Sequence, residues 1–204
     1  MVAKRTSSVI LACVTVILCA CLIVGGTLAM FSDEEKLTVN LQAGSLDASL
    51  TRTKLTTKTL DEQTGKLVEK TVEDDVDFTQ ATAENIFGIR QGSKIVPGCE
   101  FTAEMLLQNN GSLAFTYEIE VVFDQASDAA FAEQIEVKAK LGNTEKTASF
   151  REGGVLKIDN LPTLDKNSAQ SFSVTVKFID SQDNNLAQNK TVKFDLIVRA
   201  VQAS

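Results

Sequence analysis

From residue 113 to residue 123 every second side chain is large and apolar: Leu113, Phe115, Tyr117, Ile119, Val121 and Phe123. A strand turns successive side chains to opposite faces, so a period of two predicts a strand with one apolar face and one wet face. The same pattern returns three times. Phe101, Ala103, Met105 and Leu107 form one set, Phe172, Val174, Val176 and Phe178 another, and Val192, Phe194, Leu196, Val198 and Ala200 a third. The first of these runs meets the 113–123 run through Asn109-Asn110-Gly111-Ser112, and an Asn-Gly turn between alternating runs predicts a hairpin. A polar loop, Asp180 to Asn189, separates the last two runs.

Shorter strands are expected at Leu37–Leu41, Leu46–Leu50, Leu55–Leu60, Lys66–Val72 and Ile135–Lys140, with a hairpin tip at Gln63-Thr64-Gly65-Lys66. One short helix is expected from Asp124 to Gln134, with Asp124 as its cap and Ala129, Ala130 and Phe131 favouring it. Pro97 and Pro162 both fall between strands, where a missing N–H does no harm. Short, regularly spaced strands with turn signals predict an all-β antiparallel sandwich or barrel, not a βαβ fold. Residues 52–96, rich in Thr, Lys, Asp and Glu and including the acidic run Glu73-Asp74-Asp75-Val76-Asp77, are expected to leave the core as a hairpin plus a loop.

The first thirty residues require a separate reading. Lys4 and Arg5 precede an apolar run, Val9 to Val24, which ends in Gly25-Gly26-Thr27-Leu28-Ala29. A basic start, an apolar middle and small residues at the cut are the layout of a secretory signal. Thr27 and Ala29 suit the −3 and −1 subsites of a signal peptidase, so residues 1–29 are expected to leave and the β domain to begin at Met30. A retained anchor is the alternative, although the run is shorter than the roughly 20 residues that usually span a bilayer. A lipoprotein is a third option, from Leu18-Cys19-Ala20-Cys21, but apolar residues continue past Cys21. On the first reading the product is secreted, and its mature form does not span the membrane. The carboxyl end, Ala200 to Ser204, carries no cell-wall sorting motif, so anchorage is expected to be non-covalent.

Cleavage would remove two basic residues and no acidic one, moving the net charge from −7 to −9. Such a surface repels nucleic acid and anionic lipid. Cys13, Cys19 and Cys21 lie in the leader, which leaves Cys99 alone, in a turn before a strand and with partial exposure expected. A chain of this size needs no disulfide, because a domain of about 150 residues buries roughly 70% of its unfolded surface.

The chain has no histidine. That removes Ser-His-Asp and Cys-His catalysis and the HExxH zinc site. No cofactor is expected. Calcium is the more reasonable metal, with hard oxygen ligands from Asp74, Asp75 and Asp77, or from Asp180, Asp183 and Asn184, yet neither set follows the D-x-D-x-D-G order. Gly142-Asn143 and Gly153-Gly154 are turn material, and the Asn110-Gly111-Ser112 and Asn189-Lys190-Thr191 sequons read as turns too. With no Trp and one Tyr, no stacking platform for carbohydrate is present.

Several motifs together resemble a known family. Gly25 to Asp33 resembles the leader junction of proteins processed by the SipW-type signal peptidase, and Asn40-Leu41-Gln42-Ala43-Gly44-Ser45-Leu46-Asp47 is similar to the N-x-F-x-A-G-x-L-D pattern that follows it, with Leu41 in place of Phe. Val96-Pro97-Gly98, Leu107 to Ala114 and Lys193 to Gln202 resemble later motifs of the TasA/camelysin family. That resemblance implies a jelly-roll-like β-sandwich exported to the surface or biofilm matrix of a Gram-positive bacterium. It also implies self-association, or co-assembly with a related subunit, in which an amino-terminal strand completes the sheet of a neighbour. Leu37, Thr38, Val39, Asn40 and Leu41 are the candidate donor strand, or else the first strand of their own sheet. Part of the family carries a metallopeptidase label. Zinc here would need carboxylates alone or Cys99 with carboxylates, a poor match to its preference for nitrogen and sulfur. An extracellular binding module, contacting its partner through residues 52–96, is the remaining alternative.

Overall fold

A computed structural model describes residues 29–30, 38–41, 47–79, 85–89, 94–125, 127–149, 155–159, 161–182, 184–188, 190 and 192–203. The leader up to Leu28, Leu37 of the candidate donor strand, Asp183, and Asn189 and Thr191 of the second sequon lie outside the described residues. Twelve described strands run β1 (Ala29–Met30), β2 (Thr38–Leu41), β3 (Ala48–Leu60), β4 (Leu67–Asp77), β5 (Lys94–Ile95), β6 (Glu100–Asn109), β7 (Phe115–Phe123), β8 (Ile135–Leu141), β9 (Thr144–Ser149), β10 (Val155–Ile158), β11 (Ala169–Phe178) and β12 (Phe194–Gln202). A single-turn helix α1 (Ala129–Ala132) and a 3-10 turn (Asn184–Ala187) complete them.

The expected sandwich is present. Six strands form one sheet in the order β4-β3-β6-β11-β8-β9, and four form the other, β10-β7-β12-β2. A two-residue ladder, β1 with β5, stands apart. The alternating residues do what their period dictates. Phe101, Ala103, Met105 and Leu107 from β6 and Phe172, Val174, Val176 and Phe178 from β11 are buried, as are Phe115, Tyr117, Ile119, Val121 and Phe123 from β7 and Phe194, Leu196, Val198 and Ala200 from β12. Phe87 bridges the two inner faces, its ring centroid 6.5 Å from Phe101 on β6 and 5.9 Å from Phe194 on β12.

The turn at residues 109–112 is not a hairpin. β6 pairs with β3 and β11, whereas β7 pairs with β12 and β10, so the loop crosses from one sheet to the other. In a hairpin the two apolar sets would line the same face of one sheet; here they face each other across the core. Asn109, fully buried, fastens the crossover: its Nδ2 donates to the carbonyls of Leu113 (2.9 Å) and Leu164 (3.0 Å), and its Oδ1 accepts from the N–H of Gly111 (3.0 Å). Leu113, expected on the inner face, is exposed in this loop.

Four further elements differ from expectation. The two short strands at 46–50 and 55–60 are one strand, β3, interrupted by a bulge between Arg52 and Lys54. The bulge inverts the side-chain parity, and that inversion hid the continuity. The helix is shorter than residues 124–134 and begins after Asp128, whose side chain makes no cap bond. The Asp124 backbone carbonyl accepts from the Ser127 N–H, and the Asp124 N–H donates to the Lys193 carbonyl. Strands β9 and β10 were not anticipated, because β9 reads Thr-Glu-Lys-Thr-Ala-Ser and offers no apolar alternation.

Residues 52–96 form the expected hairpin, β3–β4, with Gly65 at its tip at φ 65°. The acidic run is strand rather than loop, however, and Phe78, Ile86, Phe87, Ile89 and Ile95 are buried in the core. On the far side of the sandwich, Lys146 of β9 donates to the Lys157 carbonyl and lies 3.5 Å from Asp159, which closes the β9 and β10 edges together. The β4 and β2 edges lie at the opposite ends of their sheets.

Candidate functional site

Every described ladder is antiparallel except one. β2 lies parallel to β12 through Thr38↔Ile197, Val39↔Val198, Asn40↔Arg199 and Leu41↔Ala200. β12 pairs along its whole length, Phe194 to Gln202, with β7 on the other side. On the β2 side only four of those residues have a strand partner among the described residues. Among the described residues the β12 edge is thus paired over four residues by a short strand in the less stable orientation. The candidate donor strand is placed, in this chain, on its own subunit's edge. The expected cleavage junction, Ala29 and Met30, pairs with Ile95 and Lys94.

Outside β12 the sheet is tied by charge. Lys157 on β10 lies 2.6 Å from Glu118 and 3.3 Å from Glu120, and Arg199 on β12 pairs with both glutamates. Hydrogen bonds from Lys157 and then Arg199 outweigh partial desolvation and hold the Glu118 carboxyl below its ordinary value. The same contacts raise Lys157 and Arg199. These four side chains cross-link β10, β7 and β12.

Near the β4 edge of the six-stranded sheet lies Arg52, a residue that no pattern in the sequence singles out. It is 2% exposed and donates from Nε (3.0 Å) and Nη2 (2.6 Å) to the two oxygens of Asp74. Its Nη1 donates to the carbonyls of Asn85 (3.2 Å) and Ile86 (2.9 Å), and the guanidinium carbon sits 5.6 Å from the Phe78 ring centroid. Bidentate pairing satisfies a buried guanidinium, which lysine could not reproduce. One side chain therefore ties β3, β4 and the 85–89 segment together.

This arrangement dismantles the first calcium candidate. Asp74 is engaged by Arg52 from the inner face, while Asp77 accepts from the Thr79 N–H. Hydrogen bonds from Thr79 lower the Asp77 carboxyl, and Asp75 is exposed. Of the second set, Asp183 is outside the described residues. Among the described residues no three His, Cys, Asp or Glu side chains converge on a point that could hold a metal ion. Cys99, expected to be partly exposed, is fully buried; its Sγ accepts from the Val96 N–H at 3.4 Å, and burial pushes its thiol up.

Between the 85–89 segment and the distal half of β3 lies a cleft of about 360 Å³, walled by Leu55, Phe87, Ile89, Ile95 and Phe101, with Thr57 and Thr59 on its floor. Val68 and Val72 on β4, which pair with Thr59 and Leu55, are 48% and 42% exposed beside it.

Residues 4–74 match the family Peptidase_M73, described as camelysin metallo-endopeptidase. The camelysin resemblance holds over that stretch. No curated protein matches the chain significantly. The matched stretch contains β1, β2, β3 and most of β4, including Arg52 and Asp74, and stops before the strands that build the rest of the sandwich. The metal that the family's description implies does not fit the described residues. With no histidine anywhere in the chain and its one described cysteine buried, the nitrogen and sulfur donors zinc prefers are missing. Among the described residues no helix is long and apolar enough to cross a membrane.

Proposed function

We propose that this chain is an exported surface or matrix protein without enzymatic activity, which works by assembling with copies of itself or with a related subunit. A signal peptidase releases it at Ala29–Met30, and assembly proceeds by strand addition at the β12 edge. The observation that carries this reading is the short parallel β2, in a sheet whose other ladders are antiparallel. A strand supplied by a neighbour can pair there through backbone groups alone, without sequence-specific chemistry. The cross-linked outer face of β10, β7 and β12 supports a rigid template.

Deletion of residues 30–41 behind the leader tests this, with the substitution Val39→Pro as a milder version, because proline removes a donor from the ladder. Electron microscopy of the released protein should show filaments from the parent chain and none from either variant, while circular dichroism still reports β structure. Filaments from the deleted chain, or none from the parent, refute the reading. A second reading rests on the apolar cleft: a binding module that receives a small apolar group. Filament formation that is unaffected by filling the cleft, for example with Thr57→Phe, separates the two.

A further inference from the structure

The outer face of the six-stranded sheet carries an ordered grid. In one row across four adjacent strands stand Glu69 (β4), Lys58 (β3), Glu100 (β6) and Lys177 (β11), each opposite its neighbour in register. In the next row stand Thr71, Thr56, Thr102 and Thr175, and in the third Glu73, Lys54, Glu104 and Ser173. The bulge at Arg52–Lys54 is what brings Lys54, Thr56 and Lys58 to this face. Within the threonine row, hydroxyls meet at 3.2 Å (Thr56–Thr71) and 2.9 Å (Thr102–Thr175).

Two properties of the grid set it apart from an ordinary wet face. First, signs alternate along the first row, yet Glu69, Lys58, Glu100 and Lys177 form no ion pair with a described residue; the third row closes only Lys54–Glu104, at 3.1 Å. Second, the grid complements itself. Half a turn about a line running along the strands between β3 and β6 lays Lys58 over Glu100 and Glu69 over Lys177 of a second copy. The same operation lays Lys54 over Glu104, Thr56 over Thr102 and Thr71 over Thr175. An isologous contact requires this kind of exchange, in which residue i meets j and j meets i.

We infer that this face is a contact surface for a second copy of the same chain, stacked face to face about that twofold line. The small threonines at the centre let the sheets approach, and the charged rows on either side set the register. Four strands about 4.8 Å apart and three rows about 6.8 Å apart cover on the order of 400 Å² a side, about half of a standard interface. The contact is weak by itself, polar and sensitive to salt. It gains strength where copies are already held in series. The inference is independent of strand addition, since no residue of the grid lies on β2 or β12.

The test uses the full chain with its apolar run held in non-ionic detergent, and analytical ultracentrifugation as the readout. The parent chain should associate weakly at about 20 mM salt and lose at least roughly tenfold in affinity by 0.5 M salt. The pair K58E/K177E turns the first row wholly negative, and E69K/E100K turns it wholly positive. Each variant alone should remain monomeric, and an equimolar mixture should associate more tightly than the parent. Adding the uncharged, bulky T56Y to one member must weaken the mixture by at least tenfold if the faces stack. Association of either variant at the parent's level, a monomeric mixture, or a mixture indifferent to T56Y would overturn the inference. Unchanged circular dichroism of each variant, all of them surface substitutions, establishes that folding is not what is being read.

Discussion

Replacing Asp74 by alanine should reveal how much the buried Arg52 contributes to the fold. The substitution removes the acceptors of Nε and Nη2 and leaves the guanidinium 2% exposed, with only the Asn85 and Ile86 carbonyls as partners. Breaking a fully buried pair by removing one member costs about 3–5 kcal/mol, because the remaining charge is uncompensated. Asp74 itself is 26% exposed, so water can enter the vacated space and the cost falls to about 2–3 kcal/mol. For a domain of this size that is a fall in Tm of roughly 5–10 °C. Urea titration gives the free energy directly, and its slope reports whether the denatured state has changed. The decisive comparison is the double variant Arg52→Met with Asp74→Ala. An apolar side chain of similar length leaves no orphaned charge, so the double variant should be more stable than Asp74→Ala alone. A loss below about 1 kcal/mol in the single variant, or a double variant less stable than the single, would refute the account of Arg52 as a satisfied buried cation.

Other outcomes follow from individual sites. Gly98 has φ 86° and an added Cβ would lie 2.8 Å from Leu67 Cδ1, so Gly98→Ala should cost about 1–2 kcal/mol in chemical denaturation. The Glu118 carboxyl is held below its ordinary value, so its contribution to stability is present above about pH 4.3 and lost as pH falls through the folded-state value. Glu118→Gln should therefore flatten the acid limb of stability against pH and leave the neutral limb with the same slope. Cys99, buried with its thiol raised, should be alkylated at pH 8 at least about 100-fold more slowly in the native chain than in urea, followed by mass spectrometry of its peptide. Asp61 accepts from Thr64 and Gln63 at the β3–β4 tip, and those bonds lower its carboxyl, so Asp61→Ala should loosen the tip, read as faster amide exchange at Thr64 and Gly65 without a change in the Tm of the whole domain.

Periodicity alone determined the strands whose side chains divide cleanly between oil and water. Phe101 to Leu107, Phe115 to Phe123, Phe172 to Phe178 and Phe194 to Ala200 alternate because each strand has one buried face, and burial energy acts residue by residue. The absence of histidine was likewise a property of the chain as written. Which strands are neighbours was decided elsewhere. An Asn-Gly turn is compatible with a hairpin and with a crossover, and local chemistry does not distinguish them. The choice fell to long-range contacts such as that of Asn109, whose side chain reaches Leu164, 55 residues away in the sequence, and to burial of the two apolar faces against each other.

Arg52 shows the same limit from the other direction. In sequence it is one basic residue among threonines; its burial depends on Asp74 and Phe78, in and just after β4, and on Asn85 from the 85–89 segment. The parity change at its bulge also sends Lys54, Thr56 and Lys58 to the outer face, where they complete rows begun by β4, β6 and β11. Such rows have no signature along the chain, because register is a relation between strands. A linear sequence encodes the alternation of each strand in its own residues, while pairing, orientation and the parallel ladder beside β12 arise only when distant segments compete to bury the same surface.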